Sequence, residues 1–127
     1  GGAFLERMAL RRQIEETELG RDRVLVVYLP ECHESLAGII AGRIREQFYR
    51  PCFILTDGED GVKGSGRSIA GYHMFEEMMK VEELFTRFGG HPMAAGLSME
   101  RSKVEELRQR LNENCTLTGG FGSQGDF

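Results

Sequence analysis

The chain has 127 residues, a formal net charge of −4 and 40% apolar residues, which suits one compact domain with a buried core. A net acidic chain is no general coat for nucleic acid, so any contact with nucleic acid has to be local, through a few cations and backbone amides. No apolar run approaches the roughly 20 residues of a membrane span, and no signal peptide is visible, so no membrane partner is expected.

Residues 4–19 read as a helix whose apolar positions, Leu5, Met8, Ile14 and Leu19, are only loosely periodic. Such a segment suits a linker helix over residues 1–20 that needs a partner domain, with Gly20 as its C-cap and Gly1-Gly2 as a non-native remnant. Val24 to Leu29 is a continuous β-branched and aromatic run, a strand buried on both faces. Residues 35–48 form the next helix, with Leu36, Ile39, Ile40, Ile44 and Phe48 as its buried stripe. Gly38 and Gly42, beside Ala37 and Ala41, suggest close approach of another backbone. Arg50-Pro51 stops this helix, and Cys52 to Leu55 is a second buried strand. Strand, helix, strand at this spacing implies a right-handed crossover and a parallel pair.

Residues 57–61 read as a turn and 62–69 as a third strand. Residues 74–87 read as a helix, 93–99 as a further strand, and a last helix starts at Ser102 with Ser102 and Glu105 as a capping box. Residues 21–118 thus form the globular domain, and the Gly-rich residues 119–127 a flexible, partly vector-derived tail. The fold class is α/β: a mixed sheet flanked by helices. Cys32, Cys52 and Cys115 are widely spaced without a C-x-x-C pair, so the default is a reducing, cytoplasmic setting rather than a disulfide framework or a zinc ribbon.

Three stretches carry candidate chemistry. In Lys63-Gly64-Ser65-Gly66-Arg67-Ser68, glycines let a phosphate approach the backbone, serines add hydroxyl donors, and the Arg67 fork can hold two phosphate oxygens. The order is wrong for a Walker A loop, and the bland alternative is a turn with solvent-facing cations. In Phe88-Gly89-Gly90-His91-Pro92, paired glycines and an extended His91 could present an imidazole to a phosphate or to acid–base work; the alternative is an ordinary turn. In Glu31-Cys32-His33-Glu34-Ser35 a helix start offers too few converging ligands for a metal, and a capping role is favoured. The histidines are 33, 73 and 91 and the aspartates 22, 57, 60 and 126, so no dense cluster exists for a two-metal phosphodiesterase centre.

Gly64-Ser65-Gly66-Arg67-Ser68-Ile69 followed by Phe88-Gly89-Gly90-His91-Pro92-Met93-Ala94-Ala95-Gly96 resembles the DHH-associated C-terminal domain of the RecJ family of single-strand-specific exonucleases. His33 with Leu36-Ala37-Gly38-Ile39-Ile40-Ala41, and Arg50-Pro51 before the second strand, are similar too. The chain departs from the family at Cys32, where an aromatic residue usually precedes the histidine. The resemblance implies a 5′-to-3′ exonuclease of DNA repair and recombination. Its N-terminal DHH domain, absent here, would bind Mn²⁺ or Mg²⁺ and hydrolyse the strand, while this domain faces it across a cleft and holds single-stranded DNA. The expected phosphate-binding set is Lys63, Gly64, Ser65, Gly66, Arg67, Ser68, Gly89, Gly90 and His91, with His91 the one contributor to catalysis and with no metal or cofactor held by this chain itself. Rival readings are a superfamily phosphodiesterase acting on short oligonucleotides or cyclic dinucleotides, a non-catalytic nucleic-acid-binding module of the kind found in alanyl-tRNA synthetases, and a purely structural domain.

Overall fold

A computed structural model describes residues 21–117; the expected linker helix and tail lie outside the described residues. Strand β1 (Leu25–Tyr28) leads through helix α1 (Glu34–Phe48) to β2 (Cys52–Gly58). Then follow β3 (Gly61–Arg67), helix α2 (Met74–Met79), a 3₁₀ turn (Glu82–Leu84), β4 (Phe85–His91), β5 (Ala94–Met99), a second 3₁₀ turn (Arg101–Lys103) and helix α3 (Val104–Asn114). One five-stranded sheet runs in the order β1-β2-β3-β5-β4. The β1–β2 pair is parallel and every other pair antiparallel, the mixed α/β sheet flanked by helices that was expected.

Strand alternation divides the core into two layers. Val24, Val26, Phe53, Leu55, Val62, Leu97 and Met99 face α2 and α3, where Met74, Met78, Leu107 and Leu111 fill the space. Leu25, Val27, Cys52 and Ile54 face α1, against Ala37, Ala41 and Ile44. The run from Val24 therefore is buried on both faces. Helix α1 turns only part of its expected stripe inward: Ile44 is buried and Ile40 and Phe48 pack beside it, but Leu36 is 44% and Ile39 58% exposed, and the small Ala37 and Ala41 touch the sheet. Small residues let the helix lie close to the strands, and that proximity displaces the stripe read from periodicity alone. No backbone meets Gly38 or Gly42; what lies against Gly38 is the Arg67 side chain, and a Cβ at Gly42 would meet nothing within 4 Å.

Residues 74–87 are not one helix. Helix α2 ends at Met79, the 3₁₀ turn intervenes, and β4 begins at Phe85. Ladder pairing to β5 (Phe85 with Met99, Phe88 with Leu97) overrides the local helical signal. Phe88 also stacks on Phe75 with ring centroids 5.6 Å apart and meets Phe85 in a tilted contact at 5.1 Å. The Phe88 to His91 stretch is accordingly strand rather than turn. The capping box is also absent: α3 starts at Val104 with no side-chain cap, and the Glu105 carboxylate instead accepts from Arg108 Nη1 at 3.3 Å. Residues 57–61 keep Asp57 and Gly58 in β2, so the turn shrinks to Glu59-Asp60, with Gly61 at φ 130°. No described helix is long and apolar enough to cross a membrane.

Candidate nucleic-acid interface

Among the described residues, helix α1 covers β1, β2 and one side of β3, and leaves the remainder of that sheet face bare. Three rows of residues run across β3, β5 and β4 there: Lys63–Ser98–Arg87, Ser65–Gly96–Gly89 and Arg67–Ala94–His91. All lie on the face opposite Leu97 and Phe88, which pack into the core. The 23 residues between Arg67 and His91 thus return the chain so that both pair with Ala94. The floor between them is nearly devoid of side chains: a Cβ on Gly89 would meet nothing within 4 Å, and one on Gly96 only Gly64 O at 3.8 Å. A polymer backbone can lie on such a floor directly.

Arg67 lies at the seam between the bare floor and α1. Its Nη1 donates to Gly66 O at 2.7 Å, and a Cβ built on Gly38 would fall 2.5 Å from Nη2. Gly38 is the seat of this guanidinium. At the other end of β3, Lys63 Nζ stands 3.5 Å from Glu34 Oε2, an exposed pair of the kind that contributes little to stability. Opposite Arg67, His91 is exposed and its Nδ1 accepts from the Met93 amide at 3.3 Å. In the neutral ring the proton then belongs on Nε2, which is left as a donor.

The other sequence-derived candidates are placed differently. A Cβ on Gly64 would strike Leu55 at 2.3 Å, and one on Gly66 would strike Met74 and Phe53 within 2.8 Å. These glycines make room for the core on the hidden face of β3. Gly90, at φ 155°, has its missing Cβ position 2.4 Å from Ala94 O, so it lets β4 approach β5. Ser68 is fully buried, with its hydroxyl 2.6 Å from Tyr72 O as donor to the loop. Lys63, Ser65, Arg67, Gly89 and His91 share the bare face; Gly64, Gly66, Gly90 and Ser68 shape the strands that carry them.

Arg87 joins the face unannounced by sequence reading. It is exposed, on Lys63's row, and was hidden by the helical reading of 74–87. Its signal was the period-two spacing of Arg87, Gly89 and His91. Beyond it, Glu31, Asp57, Glu59 and Asp60 form an acidic end to the groove. His33 and His73 are N-caps, accepting from the amides of Ser35 and Glu76. Burial pushes the Cys52 and Cys115 thiols up, which removes both from nucleophilic work. Among the described residues no three of His, Cys, Asp and Glu converge as metal ligands.

The family model for the DHHA1 domain matches residues 21–116. The single-stranded-DNA-specific exonuclease RecJ of Salmonella typhimurium is 40% identical over 91% of this chain, and that of Bacillus subtilis 42% over 74%. The matched part is 21% and 12% of those proteins, so the chain spans at most about a fifth of the curated relatives it matches. The crystal structure of RecJ with Mg²⁺ from Thermus thermophilus superposes with a TM-score of 0.72 at 31% identity, over 84% of this chain and 17% of that one. The C-Ala domain of Aquifex aeolicus alanyl-tRNA synthetase, at 15% identity and a TM-score of 0.55 over 72% of this chain and 94% of its own, shares the fold alone.

Proposed function

The chain belongs to the DHHA1 domain family and matches the C-terminal region of RecJ exonucleases, and from that premise we propose that its bare sheet face grips single-stranded DNA for a 5′-to-3′ exonuclease whose metals are held elsewhere in the protein. The observation that supports the reading is the row Arg67–Ala94–His91, in which two potential phosphate donors flank Ala94 beside the glycine-floored row Ser65–Gly96–Gly89. The Arg67 fork supplies two donors of fixed geometry, Lys63 and Arg87 supply point charges, and His91 Nε2–H and the Ser65 hydroxyl complete the set. These groups hold and orient phosphate oxygens, and none of them distinguishes bases.

Metal ions would supply the hydrolytic water. Among the described residues no three of His, Cys, Asp and Glu converge as ligands, which supports placing the metals elsewhere in the protein. The partner that completes the cleft is the protein's own upstream DHH domain, and the setting is cytoplasmic DNA repair and recombination. The bare strip crosses three strands with no wall on the β4 side, which suits a continuous strand better than a cyclic dinucleotide.

Binding of a fluorescent thymidine oligomer tests this directly. Arg67→Ala should weaken binding about tenfold or more, as expected for loss of charge-assisted hydrogen bonds, and equally for every base composition. Arg67→Lys should recover only part of the loss. Equal affinities for wild type and Arg67→Ala would remove Arg67 as the anchor.

A further inference from the structure

At the opposite end of β3 from Arg67, a cavity of about 350 Å³ opens beneath the first turn of α1, lined by His33, Glu34, Ser35, Thr56, Lys63 and Ser65. Thr56 is fully buried, and its hydroxyl has no hydrogen-bond partner among the described residues. A buried hydroxyl left unpaired is costly, and it has no reason to persist where valine would fill the same volume. Its direction is fixed by the strand. Thr56 pairs with Lys63, two positions beyond Ile54, so its side chain emerges on the α1 face, under the helix start.

Four further features of this cavity favour an anion. The 15-residue α1 directs its positive end there. Lys63 contributes an ammonium and Ser65 a hydroxyl. His33 caps the helix with Nδ1, which accepts from the Ser35 amide at 3.1 Å, so the neutral ring keeps its proton on Nε2 as a donor. Within the lining Glu34 is the opposing charge, exposed and engaged with Lys63, and the acidic end formed by Glu31, Asp57, Glu59 and Asp60 adjoins it.

We propose that this cavity is a second phosphate subsite, at the far end of β3 from the Arg67–His91 row and sharing Lys63 and Ser65 with the groove, in which Thr56 Oγ, Ser65 Oγ, His33 Nε2 and Lys63 Nζ donate to one phosphate group. Lys63 and Arg67 are four residues apart on one strand, roughly 13 Å, so the two subsites fix two points of a ligand and hence its direction along the sheet. The inference rests on the proposed function only for the source of the phosphate, a DNA strand rather than free phosphate. Incoming phosphate exchanges with Glu34 at Lys63, so Glu34 tunes affinity downward.

The test is a titration of the isotopically labelled 127-residue chain with inorganic phosphate, with sodium chloride at matched ionic strength, and with a thymidine oligomer. Phosphate should move the Ser35 amide and Thr56 methyl resonances saturably, and chloride should not. Thr56→Val, isosteric and relieved of the unpaired hydroxyl, should melt at or above the wild-type temperature. It should nonetheless bind phosphate about tenfold more weakly, as one lost hydrogen bond to a charged group implies. Glu34→Gln should tighten binding. Shifts that follow chloride equally, or a Thr56→Val protein that titrates like wild type, would overturn the subsite. An oligomer that binds with dependence on Arg67 but with no dependence on Thr56 sinks the subsite and leaves the groove standing. Saturable, Thr56-dependent phosphate binding without any oligomer binding keeps the subsite, assigns it to free phosphate, and sinks the groove.

Discussion

Gly38 and Arg67 form a single feature contributed by two elements. The guanidinium lies against Gly38, one of the two positions of α1 that lack a side chain. Alanine normally stabilises a helix by roughly 1 kcal/mol over glycine, so Gly38→Ala should melt at or above the wild-type temperature. Its Cβ would displace the flexible end of Arg67, and oligonucleotide affinity should fall severalfold. Gly42→Ala is the matched control, since nothing lies within 4 Å of its Cβ position: the same gain in stability is expected, with affinity unchanged. Thermal melting and fluorescence anisotropy on the pair separate the two effects. A Gly38→Ala protein that binds like wild type would show that the seat has no part in binding.

Among the elements, β1 is an edge strand, and Asn112 of α3 closes its start. The Asn112 Oδ1 accepts from the amides of Arg23 and Val24 at 2.7 and 2.9 Å, and its Nδ2 donates to Val24 O at 2.9 Å and Arg108 O at 2.8 Å. Beside it Arg108 Nε donates to Asp22 at 2.6 Å. One amide thus replaces a missing strand and ties the first strand to the last helix. Asn112→Ala leaves a buried amide at Val24 unpaired and should cost about 2–3 kcal/mol, lowering the melting temperature by roughly 10 °C or more. Asn112→Asp keeps the acceptors and loses the donors, so it should fall between. Nothing in the periodicity of residues 104–114 announces this role; the stripe of Val104, Leu107 and Leu111 predicts only which face is buried.

For the molecule as a whole, charge and ligand supply set the expectations. The net charge of −4 denies long-range attraction, and the groove cations can engage about two phosphates. At about −0.7 per phosphate on a single strand, the logarithm of affinity should fall with the logarithm of salt at a slope of about −1 to −2. A salt titration of the wild-type chain measures it, and a slope near zero would exclude phosphate contacts. The chain by itself should show no nuclease activity, because no metal-ligand cluster exists among the described residues. Chelator-sensitive turnover of labelled single-stranded DNA in Mn²⁺ would contradict that.

The two buried strands and the parallel crossover between them were legible in the residues because burial on both faces demands the continuous apolar runs at 24–29 and 52–55, whatever lies around them. Arg67 and His91 stood out as candidates too, through the glycine-rich stretches that carry them, and the structure pairs both with Ala94. What lies over what was decided only in three dimensions. Phe85 to His91 becomes a strand because β5 offers it a ladder, and a local helical signal cannot weigh a partner that arrives from residues 94–99. That ladder places Arg87 on the groove and turns Gly64, Gly66 and Gly90 from supposed phosphate cradles into points of close packing. The pocket around Thr56 has no local signal at all, since a threonine in an apolar strand reads as ordinary. Its hydroxyl has no partner among the described residues, and contacts between segments distant in sequence are not encoded in the periodicity of either one.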